Sequence, residues 1–395
     1  MPIPVPNCLN VASHIEPRFG GIVTSLPPLR RELENEGRYR SPLAAFCLPN
    51  EQLPDSESSL GVSLFPQSHL AWFRDAASRR RFDGLVREAA VIHVHGIWEA
   101  HCAAASRAAR LLGRPYLISA HGMLDSWALQ QKKWKKTVYC RLFERRNLAL
   151  AACLRAMTVN EAEQYRRFGL SNPIAIIPNG VAIPADVTSS LFLERYPALR
   201  GKTIVLFLGR IHPKKGLLPL CLAWCAAQRQ FADAHLVIAG PDSEDTVTAL
   251  HRIIEEQGIQ QSVTFAGLLT GPVKWSAYAA ATIFTLPSYS EGFSVSVLEA
   301  LGSGVPVLIT EACYFPEVKT VNAGWTMAKV AEIQGTLTTA LATPFSSIRQ
   351  MGANGAALIA EKYCWPRIAS QFADLYDWLL GGSTPTSCPI WVSSK

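Results

Sequence analysis

Apolar runs rich in β-branched residues alternate with segments of helical composition along most of the chain. Strands that are buried on both faces of a parallel sheet read as such continuous runs. The pattern predicts a first sheet from residues 91–94, 116–118, 157–159 and 174–177. It predicts a second sheet from residues 203–208, 235–239, 263–265, 283–286 and 305–309. The repeated order of strand and helix indicates an α/β protein with two parallel sheets.

The length of 395 residues indicates two domains, because single hydrophobic cores stop growing at about 250–300 residues. We place the junction after Val181, in the polar stretch 185–200. The predicted domains therefore cover residues 1–182 and 183–365.

Polar and glycine-containing motifs follow several of the predicted strands. Ligands of open parallel sheets bind beyond the carboxyl ends of the strands, so these motifs are expected to line one cleft. The chain contains neither G-x-G-x-x-G nor G-x-x-x-x-G-K-[ST], which argues against a dinucleotide oxidoreductase and a P-loop NTPase. The motifs begin at His95, His121, Asn179, Gly209, Gly240 and Gly267.

Two glutamates eight positions apart, Glu291 and Glu299, flank a predicted strand-to-helix turn. Gly292 lets the backbone approach a ligand, and carboxylates accept hydrogen bonds from sugar or ribose hydroxyls. Backbone amides at a helix start suit a phosphate. The alternative is that both glutamates are solvated residues at the start of a helix, where acidic residues are favoured, and bind no ligand. The amides expected to face the ligand belong to Phe293, Ser294 and Val295.

The loop from Gly209 to Gly216 is rich in cations and follows a predicted strand. The planar guanidinium of Arg210 and the ammonium of Lys215 together suit a diphosphate and neutralise it without a metal. A solvated basic turn is the alternative. The glycines at both ends favour the diphosphate, because they permit close approach of the backbone.

His121 follows an apolar strand and precedes a glycine, so its imidazole is expected to bond a sugar hydroxyl or a donor phosphate. A core histidine bonded to the backbone is the alternative. His93, His95 and His101 are interpreted as structural histidines, because no fixed carboxylate completes a metal site. The acidic run 242–245 is interpreted as a solvated helix entry, so no metal site is expected.

Four further residues are candidates. Gly20 and Gly21 follow the first strand, as expected of a loop that approaches the donor or the acceptor. Asp125 and Trp127 are expected on the acceptor side. A helix-capping aspartate and a packed tryptophan explain the last two equally well.

The formal charge of +7 and the isoelectric point near 8.9 favour an anionic partner. Basic residues between 132 and 146 alternate with apolar ones, which predicts contact with an anionic membrane surface. A solvated helix whose Trp and Phe pack inward is an equal alternative. Nucleic acid is a poorer partner, because no binding module accompanies the charge.

The ten cysteines are scattered and form no Cys-x-x-Cys, which favours a reducing compartment. Residues 1–6 lack a basic leader, and no apolar stretch reaches the roughly 18 residues that span a bilayer. We therefore expect a cytoplasmic protein, with peripheral association at the inner face of the cell membrane as a further expectation.

With these motifs, the chain resembles the retaining GT-B glycosyltransferases of family 4, whose C-terminal half carries a Gly-Arg…Lys-Gly loop followed by a Glu-x7-Glu element. The resemblance spans nearly the whole chain. The stretch 121–125, His-Gly-Met-Leu-Asp, is further similar to a branch that builds bacterial exopolysaccharide or lipopolysaccharide chains. The N-terminal marks of the resemblance are Phe19-Gly20-Gly21 and the segments 93–98, 119–125 and 177–181.

The resemblance implies a GT-B fold, in which two Rossmann-like parallel-sheet domains face a central cleft. Residues 1–182 would form the acceptor domain and residues 183–365 the nucleotide-sugar donor domain. In this family the last helices return to the N-terminal domain, and residues at about 366–395 fit such a return. The tail from Gly381 onward is expected to be poorly ordered or loosely packed.

The resemblance also implies retaining, metal-independent transfer of a hexose from a nucleotide-diphosphate sugar to a hydroxyl of a glycan, expected to be lipid-linked. The nucleotide sugar is a co-substrate, and no cofactor is expected. His121 would lie against the transferred sugar, Glu291 would hold that sugar, and Glu299 would hold the ribose. In this family the backbone near Gly267 and Leu268 contacts the base.

Two other functions remain open at this point. A GT-B sugar-nucleotide epimerase would share the fold and the phosphate site but would need no acceptor. A non-catalytic nucleotide-sugar-binding protein would bind the donor without turnover.

Overall fold

The computed structural model describes residues 4–16, 21–48, 50–51, 61–67, 75–125, 129, 133–243 and 245–392. The chain divides into two compact units. The N-terminal domain comprises Met1–Gly180 and Trp365–Lys395, and the C-terminal domain comprises Val181–Cys364. The boundaries predicted from the sequence lie one or two residues away from these.

The described part of the N-terminal domain is built on an eight-stranded sheet with the order β14-β7-β6-β5-β4-β1-β2-β3. Neighbouring strands are parallel except β14, which is antiparallel to β7. The strands are β1 Cys8–Ser13, β2 Leu43–Cys47, β3 Val62–Pro66, β4 Val91–His95, β5 Tyr116–Ser119, β6 Cys153–Ala156, β7 Ile174–Ile176 and β14 Ile390–Trp391. The helices are Gly21–Glu36, Ala76–Glu88, Ala100–Leu111, Lys133–Tyr139, Arg145–Ala149, Val159–Arg167 and Trp365–Leu379, with a π-helical turn at Cys140–Glu144.

The C-terminal domain has a parallel six-stranded sheet with the order β10-β9-β8-β11-β12-β13. Its strands are β8 Thr203–Leu208, β9 Ala234–Ala239, β10 Val263–Gly267, β11 Ile283–Leu286, β12 Val307–Thr310 and β13 Gly324–Met327. The α-helices are Ser190–Arg195, Leu217–Gln230, Thr246–Glu256, Gly271–Ala280, Val295–Gly302, Glu317–Thr320, Ile333–Leu341 and Phe345–Lys362. Short 3₁₀ turns lie at Pro197–Leu199, Pro213–Lys215, Gln260–Ser262, Glu311–Cys313 and Val330–Glu332.

Both sheets are covered by helices whose apolar faces are buried. In the C-terminal domain, β9 is buried along its whole length, and Trp224 of helix Leu217–Gln230 packs into the same core. Strands buried on both faces require continuous apolar sequence, which is why the strand runs were visible in the sequence. The prediction of two parallel-sheet α/β domains is confirmed.

The predicted strand at 157–159 is wrong. The strand is β6, Cys153–Ala156, and helix Val159–Arg167 follows after Thr158. The Thr158 side chain caps this helix by accepting from the amide of Glu161. A buried arginine, Arg155, interrupts the apolar run of β6, and the capping pair Thr158-x-x-Glu161 is the signal that the strand interpretation overlooked.

The predicted strand at 305–309 begins two residues too early. It runs from Val307 to Thr310, because Pro306 has no amide hydrogen to offer the sheet. Strands β2, β3 and β13 were not predicted. Strand β3 has half-exposed positions and β13 begins with a glycine, so neither presents a continuous apolar run.

The expectation that the tail from Gly381 is poorly ordered or loosely packed is wrong for residues 388–391, whereas residues 381–384 are exposed. Strand β14 pairs with β7, Cys388 is buried, and the Arg166 guanidinium donates to the carbonyl of Trp391 at 3.0 Å. The returning segment contains one helix, Trp365–Leu379, which packs against the core of the N-terminal domain through Phe372 and Tyr376. Residues 380–392, the described part that follows, are not helical, in contrast to the returning helices expected at about 366–395.

Candidate active site

The strand order of the C-terminal domain reverses direction between β8 and β11. The chain winds outward from β8 through β9 to β10, then returns to β11 on the other side of β8. Ligands of doubly wound sheets bind at such a switch point, beyond the carboxyl ends of the strands. The cation-rich loop leaves β8 here, and the acidic loop leaves β11 beside it.

The backbone joins these two loops closely. Gly216 has φ +70°, and a Cβ atom there would lie 2.1 Å from the carbonyl oxygen of Pro287. The amide of Tyr289 donates to the carbonyl of Lys214 at 2.9 Å. Because only glycine fits at position 216, the residue that closes the basic loop also sets its distance from the acidic loop.

Lys215 and Glu291 form an ion pair with 2.7 Å between Nζ and Oε1. The side chains are only 16% and 9% exposed, respectively. Ser288 also donates to Oε1 of Glu291, at 2.5 Å. The carboxylate is therefore held in one orientation, with its charge balanced by the ammonium.

Arg210 differs from Lys215 in its surroundings. Its side chain is exposed, and within the part of the chain that the structure describes no carboxylate forms an ion pair with it. It is thus a cation at the switch point whose charge is not balanced by a described neighbour, which suits an anionic ligand.

Glu299 lies on helix Val295–Gly302 and contacts two residues of helix Gly271–Ala280. Lys274 Nζ is 2.6 Å from Oε1, and the Tyr278 hydroxyl donates to Oε2 at 3.0 Å. Burial and the charge of Glu299 raise the pKa of Tyr278 well above its usual value, so the phenol keeps its proton. Lys274 and Tyr278 were not predicted from the sequence, because they lie 25 and 21 positions from Glu299.

The four residues after Glu291 lead into the helix that carries Glu299. Gly292 and Phe293 precede Ser294, which occupies the N-cap, and Val295 is the first helical residue. The first amides of a helix have no intrahelical acceptor and offer donors to an anion. This is the predicted strand-to-helix setting.

Backbone hydrogen bonds also connect the ends of β8, β9 and β10. The amide of Gly209 donates to the carbonyl oxygen of Ala239 at 3.0 Å, and the amide of Gly240 donates to the carbonyl oxygen of Gly267 at 2.8 Å. A Cβ atom at Gly240 would lie 1.8 Å from the carbonyl oxygen of Gly209. Leu268, which follows these contacts, is exposed.

In the N-terminal domain, His121 lies two residues after the end of β5 and has a left-handed φ of 52°. The loop is held by Glu161, which accepts from the amide of Gly122 at 2.7 Å and from that of Met157 at 2.7 Å. The imidazole of His121 is hydrogen-bonded to His95, and among the described residues it makes no hydrogen bond to the backbone. The position of His121 is therefore determined by the hydrogen bonds that hold its loop and by its contact with the His95 side chain.

The three other singled-out histidines are buried and hydrogen-bonded. His93 contacts the Tyr376 hydroxyl at 2.9 Å and the Ser119 hydroxyl at 2.7 Å. The rings of His93 and His95 stack with their centroids 3.9 Å apart. Burial lowers the pKa of His101 to about 4 and that of His95 to about 3, so both are neutral near pH 7.

Arg155, a buried arginine in β6, was also not predicted from the sequence. Its Nε donates to the carbonyl of Ile177 at 2.6 Å, and a terminal nitrogen donates to Asn179 Oδ1 at 2.9 Å. It therefore anchors the chain after β7, where the Asn-Gly motif begins. No pattern in the sequence distinguishes it from a surface arginine.

Of the four remaining candidates, Gly21 and Asp125 lie within the described residues. Gly21 is the first residue of helix Gly21–Glu36, whereas Gly20 and Trp127 lie outside the described residues. Asp125 is buried and accepts from Gln164 Nε2 at 3.3 Å.

The basic segment exposes apolar side chains. Trp134, Val138 and Leu142 are 71%, 54% and 63% exposed, which contradicts the alternative in which the tryptophan packs inward. A cavity of about 640 Å³ lies beside the segment. It is lined by Trp98, Leu129, Lys136, Thr137, Cys140, Arg141, Arg145 and Phe168.

Across the described residues, no helix is long and apolar enough to cross a membrane.

Comparison with known proteins places the chain in a family. Residues 193–355 match the family of glycosyl transferases group 1, and residues 20–180 match the glycosyl transferase 4-like domain. The chain is 23% identical over 338 residues to the GDP-mannose:cellobiosyl-diphosphopolyprenol alpha-mannosyltransferase of Xanthomonas campestris, covering 85% of this chain and 86% of that protein.

Solved structures show the same fold. The crystal structure of Anabaena Alr3699/HepE in complex with UDP and glucose matches with a TM-score of 0.73 at 17% identity, covering 94% of this chain and 99% of that one. Sucrose-phosphate synthase from Thermosynechococcus elongatus matches with a TM-score of 0.72 at 19% identity, covering 96% and 100%. The fold is GT-B, and the chain belongs to the group 1 glycosyltransferases of family 4.

Proposed function

We propose that this protein is a retaining, metal-independent hexosyltransferase that moves a sugar from a nucleotide-diphosphate sugar to a hydroxyl of a glycan. The observation that carries the proposal is the switch point of the C-terminal domain, where the loop of Arg210 and Lys215 is joined to the loop of Glu291. Cations, helix amides and oriented carboxylates there match the diphosphate and hydroxyl groups of such a donor.

In the proposed reaction, the bond between the anomeric carbon and the diphosphate oxygen breaks while the acceptor oxygen bonds to that carbon on the same face. The acceptor proton passes to the departing diphosphate. Arg210 and Lys215 stabilise the charge that develops on this leaving group, where preorganised cations act most strongly. Glu299 holds the ribose, Glu291 and His121 contact the transferred sugar, and the backbone at Gly267 and Leu268 contacts the base.

Residues 292–295 supply amides to the sugar or phosphate, and Gly20, Gly21 and Gly209 allow the backbone to approach the donor. The N-terminal domain, 1–182 with the returning segment, is the proposed acceptor domain, and 183–365 is the proposed donor domain. Asp125 and Trp127 are the proposed acceptor contacts. No cofactor is required, because the nucleotide sugar is itself a co-substrate.

The proposed acceptor is a lipid-linked glycan of bacterial surface polysaccharide synthesis. The Xanthomonas campestris relative carries cellobiosyl-diphosphopolyprenol in its name, which supports an acceptor of this class. The exposed apolar side chains of the basic segment support peripheral binding at the inner face of the membrane. The proposed location is therefore cytoplasmic, at the membrane surface.

A two-stage assay tests the proposal. The protein is incubated with single nucleotide sugars, and an acceptor extract of lipid-linked glycans is then added, with and without EDTA. We expect nucleoside diphosphate to be released mainly after the acceptor is added, in both conditions. Conversion of the donor without acceptor would indicate an epimerase, and binding without turnover would indicate a sugar-nucleotide-binding protein. Loss of activity in EDTA that Mn²⁺ restores would contradict the metal-independent mechanism.

The variant Arg210→Ala tests the proposed role of this cation at the leaving group. Removing one cation from the leaving group should cost about 2–4 kcal/mol in the barrier to transfer. The fold should survive, because the side chain is exposed. Arg229→Ala, at another exposed position of the same domain, should keep the wild-type rate.

A further inference from the structure

Buried side chains of the N-terminal domain form a line of hydrogen bonds that ends at His121. Asn10 Oδ1 lies 3.0 Å from His95 Nε2. His95 Nδ1 lies 3.3 Å from His121 Nε2. Asn10 and His95 are both buried, and both ring nitrogens of His95 have a protein partner.

The orientation of the Asn10 amide is determined by its other contacts. Its Nδ2 lies 3.2 Å from the carbonyl oxygen of Cys8, 3.4 Å from that of Pro42 and 2.9 Å from the Ser41 hydroxyl. Carbonyl oxygens only accept hydrogen bonds, so the NH₂ group must face them. The opposite orientation would place Oδ1 against two carbonyl oxygens. Oδ1 therefore faces His95.

This orientation determines which nitrogen of each ring carries the proton. Oδ1 of Asn10 only accepts, so His95 Nε2 is protonated. Burial is the largest cause that lowers the pKa of His95 to about 3, so the ring is neutral and its Nδ1 carries a lone pair. That lone pair accepts from Nε2 of His121. Burial, with help from the charge of Arg155, also holds the pKa of His121 well below its usual value.

We infer that Asn10 and His95 are positioning residues that hold His121 in the tautomer protonated at Nε2, so that Nδ1 presents a lone pair to the donor. Among the described residues, no hydrogen bond reaches this Nδ1. The inference rests on the proposed function, in which His121 contacts the transferred sugar.

The tautomer selects between the two ligand groups that the sequence left open. A lone pair accepts a hydrogen bond from a sugar hydroxyl. It repels the oxygens of an ionised phosphate, which have no proton to donate. His121 is therefore assigned to a hydroxyl of the transferred sugar, and a donor sugar that bears this hydroxyl is the substrate class that the site favours.

Nuclear magnetic resonance tests the tautomer without any substrate. Full-length protein labelled with ¹⁵N-histidine is observed at pH 7 by long-range ¹H–¹⁵N correlation, which distinguishes protonated from unprotonated ring nitrogens. His95→Gln and His121→Gln assign the signals. We expect both rings to be protonated at Nε2 only. A His121 signal from the Nδ1-protonated form or from imidazolium would overturn the inference.

Asn10→Leu tests the origin of the tautomer. Without an acceptor for His95 Nε2, the His95 proton should move to Nδ1, and His121 should become protonated at Nδ1. Ser41→Ala is the control, because the two carbonyl oxygens still orient the Asn10 amide. Unchanged tautomers in a folded Asn10→Leu protein would overturn the role of Asn10. If Asn10→Leu does not fold, the wild-type spectrum still decides the tautomer.

Kinetic measurements test whether this tautomer of His121 contacts the transferred sugar. In Asn10→Leu, kcat should fall about tenfold, the size of one ordinary hydrogen bond, while the affinity for nucleoside diphosphate stays unchanged. Among monodeoxy analogues of the best donor, one should lose activity with the wild type but not with His121→Ala. If the tautomers agree with the inference but no analogue discriminates, the proposed sugar contact of His121 is wrong and the tautomer assignment stands.

Discussion

The ammonium of Lys215 lies 2.7 Å from Oε1 of Glu291, although the two residues are 76 positions apart in the chain. The ion pair joins the loop after β8 to the loop after β11. Substitution of either residue therefore leaves the charge of the other without its partner.

This pairing predicts coupled effects on stability. Lys215→Met and Glu291→Gln should each lower the free energy of unfolding by about 1–3 kcal/mol, because each leaves a mostly buried polar partner unsatisfied. The double variant should lose less than the sum. Urea denaturation measures all three. The exposed pair Lys202 and Asp233, at 3.5 Å, is the control and should show almost no coupling. Additive losses at Lys215 and Glu291 would contradict the pairing.

The two glutamates should differ in the ligands that they affect. Glu299→Gln should weaken binding of nucleoside diphosphate, because Glu299 is assigned to the ribose. Glu291→Gln should leave that affinity nearly unchanged and weaken binding of the sugar-bearing donor. Isothermal titration calorimetry with both ligands distinguishes the roles. Tyr278→Phe is a milder variant that removes one hydrogen bond from Glu299 and should shift the affinity in the same direction. Equal losses for both ligands in both glutamate variants would refute this division.

The close approach at Gly216 predicts a large cost for an added methyl group. In Gly216→Ala the left-handed conformation costs about 1–2 kcal/mol, and the clash with Pro287 adds about 1–3 kcal/mol. Gly258→Ala is a matched control, because φ is +66° there but no atom lies within 4 Å of the added Cβ. Thermal denaturation of the two variants should show a clearly lower Tm for Gly216→Ala. Similar Tm values would mean that the two loops are not in contact at this point.

The buried carboxyl group of Glu144 should make the free energy of unfolding depend on pH. It is fully buried in the π-helical turn, and burial raises its pKa from 4.5 to about 7, opposed by the backbone amide of Trp98. The unfolded chain loses this proton near pH 4.5, whereas the folded chain keeps it until about pH 7. The unfolded state binds fewer protons in this window, so the free energy of unfolding falls as pH rises through it.

The total effect is on the order of 3 kcal/mol, at 1.36 kcal/mol per pKa unit. Glu144→Gln should remove most of this decline between pH 4.5 and pH 7 in urea denaturation. Glu163→Gln, at an exposed helix position, should keep the wild-type pH dependence. A Glu144→Gln profile that parallels the wild type would show that another group is responsible.

The exposed basic segment predicts binding to acidic lipid. Replacing Arg141, Arg145 and Arg146 with glutamine should release the protein from acidic vesicles, with each cation near the surface contributing up to about 1 kcal/mol. Transfer to a short soluble acceptor should remain nearly unchanged. Arg349→Gln with Lys362→Gln, at exposed positions of the C-terminal domain, is the control. A wild-type protein that never cosediments with acidic vesicles at moderate salt would reject the membrane surface.

Much of the sheet architecture was predictable because buried parallel strands need continuous apolar runs. The prediction failed where one residue broke the run, as at Arg155 in β6, or where a short strand was half exposed, as in β3. The cations and carboxylates of the C-terminal loops were found because glycines and charges cluster within a few positions. Lys274 and Tyr278 were missed, because contacts made 25 and 21 positions from Glu299 leave no local pattern.

The tail illustrates the same limit. Its serines, threonines and prolines are typical of loosely packed chain ends, and the two residues of β14 are too few to show a period. Their pairing with β7 depends on an edge that the rest of the domain leaves available. Local composition carries no information about such an edge.

Main-chain hydrogen bonds join the ends of β8, β9 and β10 through Gly209, Gly240 and Gly267. The Leu268 side chain, which follows these bonds, is 64% exposed, whereas Leu269 beside it is buried in the core. Position 268 can therefore change during evolution while the scaffold beneath it stays constant. In the proposed enzyme, where the backbone of this segment contacts the base, the side chain at position 268 can therefore be exchanged with little cost in stability and without removing that backbone contact.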